Sequence, residues 1–420
     1  MDNHSSEQVH LRALIRPEAG KSFPGNKISF ALGLAAGIIF MLVWIVGYNA
    51  YDRQVRWGGG MNPDSKVREI YALLNRHSIM PFDKAEMLES MYRGFLAGVG
   101  DPYTQYFDME ALQAFHVRTE GQFVGIGVRV VVDPESRAVT LVNVFRGSPA
   151  AEAGLVPGDK IFSVNGIDVI GRPSSEVVGM ITGPEGTDVK LTMFRPYENK
   201  RFDVYITRQV VEVPTVFHEM LDTETGRTGY IRIEGFERPT LSQFENALEC
   251  LIECGMDSLI LDVRNNPGGL LDVVGRITNR LIPEGIVTYT EDVNGNRHYL
   301  RSDQEHLGLP LVVLVNELSA SASEVLGGAI QDTGMGILIG EQTFGKGIVQ
   351  NLLYLSDETA IKLTVSKYFT PNGTSIHGIG IIPDIVVGME ESLIRRIGDL
   401  TIYEDVQLQA AIEAIYSKIR

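Results

Sequence analysis

The stretch Leu311-Val312-Val313-Leu314-Val315-Asn316-Glu317-Leu318-Ser319-Ala320-Ser321-Ala322-Ser323-Glu324 governs the reading of the whole chain. Its first five residues are apolar, largely β-branched and bounded by Pro310 and Asn316, which predicts a buried strand. Three serines spaced by alanines come next, and Glu324, Val325 and Leu326 open a helix. A serine on so tight a strand-to-helix connection lies beside backbone N–H groups that the helix leaves unpaired, donors suited to a developing oxyanion. A second unit of this kind precedes it. The run 258–263 is a buried strand that leads straight into Arg264-Asn265-Asn266-Pro267-Gly268-Gly269, where glycines let backbone N–H groups face a ligand without side-chain interference. Strand, loop and helix repeated in this way predict an α/β core.

A serine hydroxyl needs a base, and none of the eight histidines lies in this neighbourhood; no G-x-S-x-G elbow occurs either. The chain offers instead Gly345-Lys346-Gly347, a lysine held between glycines amid apolar residues. Burial lowers a lysine's pKa because the charged form loses hydration, so a neutral amine becomes available as general base. Ser-Lys is therefore the natural dyad. Gln350, four residues on, is within reach of the amine and suited to orient it. Read singly, a Ser-Ala helix start is an N-cap and a glycine-flanked lysine is a solvated loop residue. Together, with the glycine loop, they carry the catalytic reading. His377 is the histidine a Ser/His mechanism would need, and for it a loop-stabilising hydrogen bond is expected instead.

These three motifs, Ser319 to Glu324, Gly345 to Gly347 with Gln350, and Arg264 to Gly269, resemble those of the C-terminal processing peptidases, or tail-specific proteases. The resemblance runs over about residues 66–387. It implies a Ser/Lys-dyad serine peptidase with a PDZ domain, in which the middle serine, Ser321, is the nucleophile, Lys346 the base and Gln350 the residue that positions it. By the same resemblance, Gly268 or Gly269 shares the oxyanion with the N–H of Ala322. Asp262 and Arg264 are expected to orient the loop. The implied core is of the crotonase-like α/β type.

At 420 residues the chain has room for two or three domains, and its hydrophobic content of 44% is that of an ordinary globular protein. A net charge of −16 argues against nucleic acid as a partner. Cys250 and Cys254 are the only cysteines; a bridge across one helix face would be strained, and nothing completes a zinc site. No metal, nucleotide or flavin signature appears, so no cofactor is expected.

In chain order, residues 1–27 read as a cytoplasmic tail with Arg12, Arg16, Lys21 and Lys27. Residues 28–48 carry no charge and read as a transmembrane anchor, an uncleaved one because Tyr48 stands where a signal-peptide cleavage site needs a small residue. The basic tail places everything after Tyr51 on the far side. Next come a linker over 49–63 and a helical N-terminal region over 64–115; the latter ends in an Asp101-Pro102-Tyr103 turn to which no chemistry is assigned. The segment 118–208 is similar to PDZ domains, most specifically over 148–165, and within it Val164-Asn165-Gly166 is read as closing a hairpin. In such domains a glycine-containing loop presents N–H groups to a peptide's C-terminal carboxylate and the peptide adds as a strand. Here that loop is Phe123, Val124, Gly125, Ile126 and Gly127, and the receiving edge begins at Val128. The peptidase core spans 209–390, and 391–420 is a C-terminal helical segment suited to capping the core or pairing subunits.

The expected protein is thus a multidomain α/β peptidase with a β-rich PDZ domain, a helical N-terminal region and one N-terminal transmembrane helix. Its expected place is the bacterial inner membrane, single-pass, with the catalytic part on the periplasmic side. Its expected substrates are unfolded or flexible protein C-termini. An activating adaptor protein and a homo-oligomer stay open as partners. The rival readings are a PDZ scaffold with an inactive or partner-gated peptidase core and a crotonase-type hydratase or thioesterase, for which no basic patch suited to coenzyme A phosphates is found.

Overall fold

The computed structural model describes Met41 and residues 63–223 and 226–419. The anchor read over 28–48 lies outside the described residues apart from Met41, and among the described residues no helix is long and apolar enough to cross a membrane. Residues 1–84 and 85–420 form two separate units. In the first, Pro63–His77 is helical.

The second unit contains a six-stranded sheet. Strands Gly226–Ile233, Ser258–Asp262, Leu311–Val315, Gly336–Gly340 and Ile385–Val386 run parallel in that order, with Val216–Thr223 antiparallel on the outer edge. The predicted strand 311–315 is buried at every residue because both faces of the sheet are covered. Side-chain alternation sorts them. Leu259, Leu261, Leu311, Val313 and Val315 share one apolar cluster with helices Thr240–Glu253, Leu271–Asn279 and Ala322–Thr333. Ile260, Val312 and Leu314 instead pack with Leu408, Ala411 and Ile415 of the C-terminal helix Val406–Ile419. Each such side chain contributes about 1.5–3 kcal/mol by leaving water. The last helix therefore caps the core, one of the two roles its pattern allowed. Cys250 and Cys254 are free, exposed thiols.

A second sheet has the order Gln105–Phe107, Ala360–Phe369, Gly285–Asp292 and Arg297–Ser302, with Ile348–Tyr354 also paired to Ala360–Phe369. It joins the residues after Asp101-Pro102-Tyr103 to the strand that comes after Lys346.

The third sheet has the order Val128–Val132, Val139–Val144, Lys160–Val164, Asp188–Arg195 and Lys200–Thr207, packed with helix Ser174–Ile181. Asn165 and Gly166 both take positive φ, the requirement of the hairpin turn read there. Val128–Val132 is an edge strand paired only with Val139–Val144, so its other side is open to an added strand. Of the segment read as the loop before it, Phe123, Val124 and Gly125 lie in strand Gln122–Gly125, paired antiparallel with Gln209–Glu212, and only Ile126 and Gly127 are loop; Ser148 Oγ donates to the Gly127 carbonyl at 3.2 Å. A Cβ at Gly127 would lie 2.3 Å from that of Ser148.

Candidate active site

The three serines have different fates. Ser319 Oγ donates to the Val263 carbonyl at 2.8 Å, and Ser323 Oγ donates to the Asn266 carbonyl at 2.9 Å, so both are fully buried ties between the serine turn and the glycine loop. The Ser321 hydroxyl makes no such tie. Ser321 has φ 56° and ψ −110°, a conformation that costs a residue with a Cβ and persists only where the surroundings impose it. Its neighbour is the buried phenol of Tyr368, whose pKa burial pushes up to about 12 against the pull of the Ser321 hydroxyl.

The glycine loop is fixed from three directions. Asn266 Nδ2 donates to the Ile233 carbonyl, and its Oδ1 accepts from the Gly268 N–H at 2.9 Å. The Ala320 N–H donates to the Asn266 carbonyl at 3.0 Å. Asn265 and Asn316 pair reciprocally, at 2.9 and 2.8 Å. A Cβ at Gly268 would sit 2.8 Å from Ser321 Cβ and from the Ala320 carbonyl oxygen, so this contact between loop and serine turn requires glycine. With the Gly268 N–H bound to Asn266, the N–H groups of Gly269 and Ala322 are those left without an acceptor among the described residues.

Behind the loop lies a buried ionic network. Arg264 donates to Asp262 at 2.6 Å and to Asp405 at 2.7 Å through Nη2, and to Asp405 and Gln407 through Nη1. Tyr230 donates to Asp262 at 2.7 Å. Asp405 in turn accepts from the Leu408 N–H, capping the final helix. Asp262 and Arg264, expected to orient the loop, are thus tied to each other at its base and to the start of the final helix.

Glu324 is fully buried. Its Oε2 accepts from the Ser321 N–H and from the Lys346 N–H, each at 2.8 Å. Its Oε1 accepts from Thr343 Oγ1 and from the Gly345 N–H, each at 2.7 Å. One carboxylate thus holds the serine turn and the lysine loop side by side. The sequence marks Glu324 only as the opening of a helix; its place three residues after Ser321 is the signal that points to this larger role.

Lys346 is half-buried. Burial holds its pKa below the ordinary lysine value, the Arg118 charge lowers it further, and Glu324 opposes both. Its amine donates no hydrogen bond among the described residues; it lies over the Tyr103 ring, 5.1 Å from the centroid. Gln350 stands in strand Ile348–Tyr354, and its Nε2 donates to the Tyr103 carbonyl rather than to Lys346. His377 is exposed, on a cavity also lined by Asp101, Tyr103 and Thr364, and its ring makes no hydrogen bond among the described residues. The loop-stabilising bond expected of its ring is not formed; the loop is held by backbone bonds, the Gly378 N–H donating to the Gly345 carbonyl and the Gly380 N–H to the Ile376 carbonyl, each at 2.8 Å, and by close packing, since a Cβ at Gly347 would lie 2.4 Å from the His377 nitrogen.

Comparison with known proteins gives two family matches: Peptidase family S41 over residues 227–387 and the PDZ domain over residues 142–193. The chain is 36% identical over 347 residues to a carboxyl-terminal-processing protease of Synechocystis, covering 82% of this chain and 81% of that one. It is 34% identical over 347 residues to a carboxy-terminal-processing protease of Bartonella bacilliformis, covering 81% and 76%. Among solved structures, it is similar to the photosystem II D1 C-terminal processing protease, at 30% identity and a TM-score of 0.45, covering 82% and 92%.

Proposed function

Since the chain belongs to the carboxyl-terminal-processing proteases of peptidase family S41, serine peptidases that here carry a PDZ domain, we propose that it cleaves through a Ser321/Lys346 dyad and an acyl-enzyme. The observation that carries this reading is the Glu324 carboxylate, one oxygen of which accepts from the backbone N–H of both residues. Lys346 takes the proton from Ser321 Oγ as the oxygen attacks the scissile carbonyl carbon. The resulting oxyanion is held by the two unspent N–H groups, those of Gly269 and Ala322. Collapse breaks the C–N bond, and the Lys346 ammonium gives its proton to the leaving amine. Lys346 then removes a proton from water as it attacks the ester carbonyl, and returns that proton to the Ser321 oxygen as the acyl C–O bond breaks.

Flexible protein C-termini are captured on the PDZ domain, the carboxylate at Phe123 to Gly127 and the chain as a strand along the open edge that starts at Val128. The uncharged run 28–48 anchors the protein in the bacterial inner membrane with the peptidase on the periplasmic side; the four basic residues before it support that orientation.

The test is a fluorophosphonate probe applied to the full chain, with peptide mapping of the product. A covalent adduct on Ser321 is expected, and an adduct on another residue, or none with or without an unfolded substrate, would remove the acyl-enzyme reading. Charge sets a second outcome. The neutral amine is the active form, so activity rises with pH through the Lys346 pKa, which Arg118 depresses. Arg118→Gln is expected to move the acid limb of kcat/KM to higher pH; an unmoved limb would deny Arg118 that influence.

A further inference from the structure

The turn Asp101-Pro102-Tyr103-Thr104 drew no function from the sequence, yet it touches both the lysine and the glutamine of the site. The Tyr103 ring faces the Lys346 amine, and the Tyr103 carbonyl accepts from Gln350. The turn is not free to wander. Asp101 accepts from the Tyr103 N–H at 3.0 Å, from Thr104 Oγ1 at 2.7 Å and from Thr364 Oγ1 at 2.6 Å. Thr364 is the residue paired opposite Gln350 in the strand ladder. Asp101 thereby fastens the turn to the same pair of strands that presents Gln350.

We propose that Tyr103 is a positioning residue for the general base, its ring face holding the Lys346 amine and its carbonyl holding Gln350. The inference rests on the dyad reading above. A base lysine must keep a lone pair for the serine proton. A carboxylate partner at the amine would bind it as ammonium and keep the proton in place. An aromatic face attracts the N–H side of the group through its quadrupole and leaves the lone pair uncommitted. The charged groups around Lys346 fit this arrangement. Arg118, on helix Met109–Glu120, disfavours the ammonium, and Lys362, on strand Ala360–Phe369, has its own pKa lowered by burial and then by the Lys346 charge. The one carboxylate acting on it, that of Glu324, has both oxygens occupied by four donors of its own.

The experiment compares Tyr103→Phe, Tyr103→Leu and Lys346→Met with the parent in the full chain, by steady-state cleavage of an unfolded test protein across pH. Tyr103→Phe keeps the ring and is expected to retain kcat within about twofold. Tyr103→Leu keeps bulk without the face and is expected to lose kcat by about tenfold or more, with KM changed by less than about twofold. Its acid limb should move to lower pH, because a contact favouring the ammonium has gone. A purely structural role would damage Phe and Leu alike and leave the limb in place, which would overturn the proposal, as would a Leu variant as fast as the parent or faster. Where Tyr103→Leu fails to fold, a trifluorophenylalanine at position 103 decides, since it keeps the ring's shape and weakens its face; unchanged kcat and pH profile would then overturn the proposal. The Lys346→Met arm separates the two readings. If that variant is inert and Tyr103→Leu is normal, the positioning role alone falls; if Lys346→Met cuts as well as the parent, the dyad falls and takes the positioning role with it.

Discussion

Lys346→Met is expected to stop cleavage of an unfolded test protein, with kcat falling roughly 10⁴- to 10⁶-fold while the variant melts close to the parent. Methionine preserves the apolar stem and length of the side chain and removes only the amine. That amine forms no ion pair among the described residues, so little folding free energy goes with it. What goes is the only group proposed to take the Ser321 proton, and an unassisted serine hydroxyl is a poor nucleophile near neutral pH. Lys346→Arg should be equally inert, because a guanidinium stays protonated and accepts nothing. The check is a turnover assay with thermal melts run alongside. A Lys346→Met enzyme that cuts at the parental rate would sink the dyad and return His377, although exposed and unbonded, as the group to test next.

Glu324→Gln is expected to cost both stability and activity. The carboxylate accepts from four donors while fully buried: two on Oε2, from Ser321 and Lys346, and two on Oε1, from Thr343 and Gly345. A glutamine offers one oxygen and one NH₂ group in the same space. Turned one way, the amide leaves the N–H groups of Ser321 and Lys346 facing another donor; turned the other way, it leaves the Gly345 N–H so placed, while the Thr343 hydroxyl must turn to accept. An unmade hydrogen bond of this kind costs about 1–3 kcal/mol, so a loss of about that size is expected in a urea titration. Relaxation around the unmade bond separates the serine turn from the lysine loop. Activity should therefore fall by roughly 10²-fold or more even under conditions where the variant is fully folded, since an ångström of misplacement suffices for that. A parental urea midpoint together with parental turnover would show that Glu324 does not hold the site.

Much of this was legible in the chain. The strand 311–315 and the final helix 406–419 appear where the residues place them, because an uninterrupted apolar run rich in valine and a 3.6-residue period leave few alternatives. The Asn165-Gly166 hairpin was legible for a similar reason: few residue pairs accept positive φ twice. The site itself was legible only to the level of motifs. Among the three serines the residues alone did not choose and the family resemblance pointed to Ser321; the structure adds that the other two are spent on backbone carbonyls. Gly268 and Gly269 look alike in sequence, and what distinguishes them is the side chain of Asn266, which accepts from the N–H of the first. Gln350 has the spacing that would put it beside Lys346, yet its amide is claimed by the carbonyl of Tyr103, a residue from the other end of the catalytic unit. No local pattern encodes that contact, because strand Gln105–Phe107 pairs with residues more than 250 positions away.

The network behind the glycine loop also makes distant parts of the chain depend on one another. Arg264 takes one carboxylate, Asp262, from the strand it follows and the other, Asp405, from 141 positions further on, at the start of the C-terminal helix. A buried arginine with half its partners is a poor foundation for the loop in front of it. The glycine loop consequently has its full support only while the C-terminal helix is docked, so a change that loosens that helix is felt in a loop far from it in sequence.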